Sequence, residues 1–244
     1  MIRVEEVTKY HLGEKVLDKV SLDIPRGENI ALIGRGGAGK SLLSKIIVGL
    51  VKPDSGRVYM DGEDVTDLAE IDWAVKRFNI GMLFQNYALF DFMTVGENIA
   101  FPLFQEGKSS EEEIDQAVKS LLKQVDLPGI EHLQINELSG GMKKRVSFAR
   151  AVIRHPPILI YDDPTAGLDP VTSSKIFELL KQIKEDKGTT SITISHDLIG
   201  LREVCDTWAM LDKGRLLVHG SQQDVESCEH PVVKEFWSGT KTYI

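Results

Sequence analysis

The chain has 244 residues, of which 42% are hydrophobic and 27% charged; these are ordinary globular values and exclude a wholly disordered chain, a collagen and a multi-span membrane protein. Lys and Arg number 29 against 37 Asp and Glu, a net charge of −8, which argues against sequence-independent nucleic-acid binding because that rests on basic patches. Cys205 and Cys228 stand alone, with no CxxC pair or nearby His cluster, and read as reduced packing or surface thiols.

In chain order, the alternation of Ile2-Arg3-Val4-Glu5-Glu6-Val7 predicts a strand and no secretory leader. Strand signals run to about residue 28, with turns at 11–14 and 25–27. Residues 29–33 read as a short buried strand leading into Gly34, and 41–50 as a helix with Leu42, Leu43, Ile46, Ile47 and Leu50 at helical spacing. A turn at 53–56 precedes a strand at 57–60, and 80–84 is another buried strand. The Ser-Ser-Glu-Glu-Glu run from Ser109 opens a helix to residue 125 with a capping signature. A second helix, 139–154, is stopped by Pro156-Pro157. Then follow a strand at 158–161, a helix at 170–187, a strand at 190–194 and, after Ser221, a short helix and a second one beyond Pro231. Trp237 and Tyr243 near the end read either as contacts for a partner or as side chains packed on the chain itself.

This alternation predicts an α/β fold, a mostly parallel sheet flanked by helices. The helix-rich stretch 89–155 breaks the alternation and is expected to form a helical sub-domain between the two parts of a core, 1–88 and 156–220, with a helical extension at 221–244.

Gly34-Arg35-Gly36-Gly37-Ala38-Gly39-Lys40-Ser41 fits GxxxxGK[ST] between a buried strand and a helix. Glycines let successive N–H groups turn inward onto phosphate oxygens, and the helix adds its positive N-terminal end. Lys40 is expected to reach the β- and γ-phosphates and Ser41 to bind Mg²⁺. The motif specifies a nucleoside triphosphate without choosing ATP or GTP. A second element, Ile158-Leu159-Ile160-Tyr161-Asp162-Asp163, is an apolar strand ending in two carboxylates. Asp162 is placed to hold the Mg²⁺ shell and Asp163 to orient or deprotonate the attacking water.

With these motifs, the chain resembles the nucleotide-binding subunit of an ABC transporter: a P-loop NTPase core with an antiparallel β region and an ABC-type helical sub-domain. Leu138-Ser139-Gly140-Gly141-Met142 looks like the family's signature at a helix N-terminus. The resemblance implies that Ser139, Gly140 and Gly141 meet the γ-phosphate held by the other subunit of a homodimer. It makes Gln85 the Q-loop glutamine that senses Mg²⁺ and the attacking water. Asp169, in Ala166-Gly167-Leu168-Asp169, becomes the D-loop residue crossing the dimer interface, and His196 the switch histidine on the γ-phosphate. Tyr10 lies where the family stacks an aromatic ring on adenine, which favours ATP. The implied catalytic residues are thus Asp163, His196, Gln85 and Lys40. ATP is held by Tyr10 and by Gly34, Arg35, Gly36, Gly37, Ala38, Gly39, Lys40, Ser41 and Leu42, and Mg²⁺ by Ser41, Gln85 and Asp162.

Met142 followed by Lys143-Lys144-Arg145, the run Met82-Leu83-Phe84-Gln85-Asn86-Tyr87-Ala88-Leu89-Phe90 and the tail Pro231-Val232-Val233-Lys234-Glu235-Phe236 look like the ATPases of MCE- and Mla-type phospholipid transporters. That resemblance implies lipid transport from the cytoplasmic face of the inner membrane, peripherally, through an integral-membrane permease. An MCE-domain substrate-binding protein and a small accessory subunit complete the set, and nucleic acid has no part in it. The apolar run 87–93 supplies a wall for a permease groove near Gln85, or else core packing between sub-domains.

Three departures from the family pattern stand out, one of them Gly37, which stands where the family often has Ser and keeps the backbone cradle. Asp163 replaces the usual Glu, so hydrolysis is either slow, or the strand end shifts to bring the shorter carboxylate closer. Arg35 replaces the commoner Pro or Gly, as added charge near the phosphates or as a solvated surface residue. The alternatives to lipid transport are another ABC importer or exporter, for an amino acid or a drug, a soluble ATPase for cofactor assembly, and a nucleotide-binding regulator without turnover.

Overall fold

The computed structural model describes residues 2–185 and 188–240, with side chains to residue 238. The last residues expected in the helix 170–187 and the expected contact Tyr243 lie outside the described residues. In chain order the elements are β1 (Ile2–His11), β2 (Glu14–Ile24), β3 (Asn29–Ile33), α1 (Lys40–Ile47), β4 (Ser55–Met60), β5 (Glu63–Asp64), α2 (Glu70–Arg77) and β6 (Ile80–Leu83). Three helices follow, α3 (Val95–Glu106), α4 (Glu111–Gln124) and α5 (Gly140–Val152). The chain then resumes alternation with β7 (Ile158–Asp162), α6 (Pro170–Glu185), β8 (Thr190–Ile194), α7 (Leu198–Val204), β9 (Thr207–Asp212), β10 (Arg215–Gly220), α8 (Gln222–Glu226) and α9 (Pro231–Thr240).

The strands form two sheets. One is antiparallel, in the order β2-β1-β4-β5; the other runs β10-β9-β3-β8-β7-β6, parallel except for β10. All five residues of β3 and of β8 are buried, as expected of parallel strands covered on both faces. Successive side chains of β3 serve different cores. Ile30 and Leu32 pack with α1 and the antiparallel sheet, whereas Ala31 and Ile33 pack with the helices opposite. Helices α3, α4 and α5 belong to that second core, which also contains Leu159 and Tyr161 of β7. Phe148 of α5 stacks on Tyr161 at 6.1 Å between ring centroids, fastening α5 to the sheet.

Capping boxes start α3 (Thr94 with Glu97) and α4 (Ser110 with Glu113), the latter from the Ser-Ser-Glu-Glu-Glu run. Helices α2 and α7 and the β9–β10 hairpin have no counterpart in the sequence reading. Helix α2 buries only Trp73, which leaves it a faint apolar stripe, and Pro102 inside α3 masks that helix's period. Trp237 of α9 is buried, edge-on to Trp208 of β9 at 5.4 Å, so it packs on its own chain. Cys205 is buried and Cys228 half-buried, and both are free; burial pushes the Cys205 thiol up to about 12. Among the described residues no helix is long and apolar enough to cross a membrane.

Candidate functional site

Strand register gathers the predicted residues at one edge of the parallel sheet. Leu32 of β3 pairs with Ile194 of β8, Ile194 with Asp162 of β7, and Tyr161 of β7 with Leu83 of β6. Gly34, His196, Asp162-Asp163 and Gln85 therefore all emerge at the carboxyl ends of neighbouring strands, where open α/β sheets bind ligands.

The loop after β3 is shaped by its glycines. Gly34 has φ +141°, and a Cβ there would lie 2.0 Å from the Leu211 carbonyl oxygen; at Gly39, φ +101°, a Cβ would lie 2.6 Å from Leu17 Cδ2. Gly39 caps α1 without offering a side-chain acceptor, and the first turn of α1 holds no acid. Its first N–H groups are left for an anion. Around Gly36 and Gly37 a Cβ would meet nothing within 4 Å, so the loop presents open space. Lys40 is buried and donates from Nζ to the carbonyls of Gly34 (2.8 Å) and Arg35 (3.0 Å). Burial lowers its pKa, opposed by the charges of Asp163 and Asp162. Ser41 Oγ donates to Asp162 Oδ1 at 2.9 Å. Asp162 is buried, which raises its pKa against the effect of that hydrogen bond. Ala38 and Leu42, also expected to hold ATP, lie differently: Ala38 is buried and Leu42 packs against the α1 core.

These features fit a Mg²⁺–triphosphate group. The loop offers backbone N–H groups and an ammonium, and Ser41 with Asp162 offers a pair of hard oxygens. Among the described residues no group of three or more His, Cys, Asp and Glu is placed to hold a metal alone, so Mg²⁺ would take its other ligands from phosphate and water.

Asp163 follows directly with a left-handed φ of +55°; its N–H donates to the Ile194 carbonyl at 2.8 Å. Its carboxylate leaves from the strand end rather than from a helix. Gln85 and His196 are exposed at the same edge. Tyr10, 47% exposed, is the last residue but one of β1, and its register partner Lys15 lies next to the Val16-Leu17 segment beside Gly39. The aromatic ring thus belongs to the hairpin beside the phosphate loop. Asp54 holds it there by accepting from the Tyr10 N–H (2.6 Å) and Lys9 Nζ (2.9 Å), a role the sequence reading missed.

Other predicted residues stand apart. Ser139 is exposed and caps α5, its Oγ accepting from the Met142 N–H at 3.3 Å. The atoms nearest a Cβ at Gly140 or Gly141 belong to Tyr87, Thr172 and Leu168, not to the phosphate loop. Asp169 caps α6, accepting from Val171 N, Thr172 N and Thr172 Oγ1 at 3.0, 3.0 and 2.6 Å. The Thr172 hydroxyl and these amides hold its carboxyl below the usual range. Arg35 pairs with Glu235 of α9 at 2.8 Å, a surface ion pair.

A cavity of about 780 Å³ borders the glutamine loop, lined by Phe84, Ala88, Phe90, Phe101, Arg150 and Arg154 among others. Of the run 87–93 only Ala88 and Phe90 line it; Leu89 packs on the core and Tyr87 turns under α5. Lys144 is a further residue missed in the sequence, where it served only as part of a basic run. Lys144, Phe148 and Val152 are all buried at i, i+4, i+8, a spacing that marks the inner face of α5.

The ABC transporter family model matches residues 17–166. The methionine import ATP-binding protein MetN of Mannheimia succiniciproducens is 40% identical over 231 residues, 93% of this chain and 67% of the relative. MetN of Carboxydothermus hydrogenoformans is 42% identical over 223 residues, 91% of this chain and 66% of the relative. The chain thus spans about two thirds of the length of these curated relatives. Among solved structures, the dimeric post-hydrolysis state of the ATP-binding cassette MJ0796, bound to ADP and Pi, superposes with a TM-score of 0.85 at 34% identity, covering 91% of this chain and 98% of that one.

Proposed function

The chain belongs to the ABC transporter family, and we propose that it works as one half of a closing homodimer that powers a lipid-handling permease. As a member it is an ABC ATPase that uses ATP with Mg²⁺. The observation that carries the reading is the preformed group at the strand ends, with Lys40 on the loop carbonyls and Ser41 bonded to Asp162.

In this reading the loop amides and Lys40 bind the β- and γ-phosphates, and Tyr10 stacks on the adenine. Ser41, Asp162 and Gln85 would hold Mg²⁺, which when bound would neutralise charge on the phosphate oxygens. Asp163 accepts a proton from water as the water oxygen bonds to the γ-phosphorus, and the bond to the bridging oxygen breaks with its electron pair leaving on ADP. His196 contacts the γ-phosphate. Ser139, Gly140 and Gly141 of a second copy complete the site, and Asp169 lies at that interface. The exposure of Ser139 and its separation from the phosphate loop of the same chain support this arrangement. Loss of the γ-phosphate removes the link between copies and the dimer opens.

The apolar cavity beside Gln85 is suited to a segment of a permease, which would hold the cassette at the cytoplasmic face of the inner membrane. Lipid as the substrate class rests on Met142 with the basic run behind it and on the residues around Gln85; an MCE-domain protein and a small accessory subunit then belong to the same complex. A second reading, methionine import, is favoured by the relatives named above.

The cassette purified with its membrane partner and placed in phospholipid nanodiscs separates the two. ATP turnover that rises with phospholipid and ignores L-methionine is expected. A response to methionine alone would move the assignment to the second reading.

A further inference from the structure

Lys144 carries a charge into the protein interior that the catalytic scheme above does not use. Its side chain is fully buried. Nζ donates to the carbonyl of Asp163 at 3.0 Å and of Gln85 at 3.2 Å, and lies 5.2 Å from the centroid of the Tyr87 ring. Two carbonyls and an aromatic face thus surround an ammonium with three donors. A buried cation kept in this way is costly unless well paired, and these partners are main-chain atoms of two functional loops. Burial lowers the lysine's pKa, and the nearby carboxylates of Asp163 and Asp162 act in the opposite direction.

Both loops bend away from ordinary backbone. Asp163 has φ +55°, and in the glutamine loop Tyr87 and Ala88 have φ +60° and +51°. Such conformations in residues other than glycine persist where the surroundings over-determine them. Helix α5 supplies that constraint at a three-residue spacing. Beside Lys144, Ser147 Oγ donates to the Tyr87 carbonyl at 2.7 Å and Arg150 Nη2 to the same oxygen at 3.2 Å. The helix that begins with the signature thus grips the glutamine loop along one face, and with Lys144 it also grips the strand end that bears the base.

We propose that Lys144 is a positioning residue for ATP hydrolysis. It fixes the main chain at Asp163, so that a carboxylate one methylene shorter than glutamate starts from a defined point, and it ties that point to the glutamine loop beside the cavity. The proposal rests on Asp163 being the base. A misplacement of about 1 Å at a base costs about 10²-fold in rate, so a carbonyl clamp on this residue acts on turnover rather than on binding.

The test compares the full chain with Lys144→Met, which keeps most of the length and removes the donors, and Lys144→Gln, whose side chain is one atom shorter and uncharged but keeps two N–H donors. Lys144→Met is expected to lower kcat about 10–100-fold with the ATP KM within about threefold. Lys144→Gln gives an intermediate kcat, and thermal midpoints do not follow this order. Wild-type kcat in Lys144→Met overturns the proposal. So does a parallel fall of kcat, ATP affinity and thermal midpoint, which marks a purely structural lysine. If Lys144→Met does not fold, Lys144→Gln decides, and wild-type kcat there overturns the proposal. Asp163→Asn is measured alongside. Full turnover in Asp163→Asn removes the base assignment itself, whereas a dead Asp163→Asn with a fully active Lys144→Met removes only the role of the lysine.

Discussion

One methylene separates Asp163 from the glutamate of the family pattern, and the structure shows what accompanies the shorter side chain. The residue is left-handed, with its N–H on Ile194 and its carbonyl on Lys144, so the carboxylate proposed as the base starts from a fixed main chain. Asp163→Asn is expected to lower ATP turnover by about 10²–10⁴-fold in a phosphate-release assay while ATP still binds. Asp163→Glu, pushed outward from the same fixed backbone, is expected to lower kcat about tenfold. A faster Asp163→Glu enzyme would mean that the site remains built for glutamate. Lys40, Ser41 and Asp162 were legible from the sequence because identity and spacing dictate their chemistry. Lys144 and Asp54 were not, because each acts through a main-chain partner far along the chain, and only the fold brings those partners near.

At the scale of elements, the strands of the parallel sheet announced themselves as short apolar runs, and the capping residues Ser110 and Glu113 located α4 closely. Pro102 and the thin stripe of α2 hid those helices, since helical periodicity needs a broad buried face to be read. Helix α5 shows how an element joins packing to chemistry. Its inner face sets Lys144 on the main chain of Gln85 and Asp163 and, one turn on, Phe148 on Tyr161 of β7. Removing the ring should loosen both. Phe148→Ala is expected to cost about 3–5 kcal/mol, read as a lowered midpoint in urea denaturation, because the ring is buried and leaves a cavity between helix and sheet. A midpoint unchanged from wild type would show that α5 is held by other contacts.

For the whole molecule, the phosphate loop and the signature face different surroundings in one chain, and this separation supports the proposal of an active site shared between two copies. A net charge of −8 is no obstacle to triphosphate binding, because in the proposed site the anion would meet loop amides and Lys40 rather than the average surface. In the proposed pair, the phosphate loop of one copy and the signature of the other would act on one phosphate although they lie apart in a single chain. The most direct measurement mixes two inactive chains, Lys40→Ala, which keeps a sound signature, and Ser139→Phe, which keeps a sound phosphate loop. Each alone should fail to release phosphate from ATP. An equal mixture should regain about a quarter of wild-type turnover, since half of the two-fold pairs are mixed and each mixed pair restores one of its two sites. Turnover by Ser139→Phe alone, or none in the mixture, would contradict a site built from two copies.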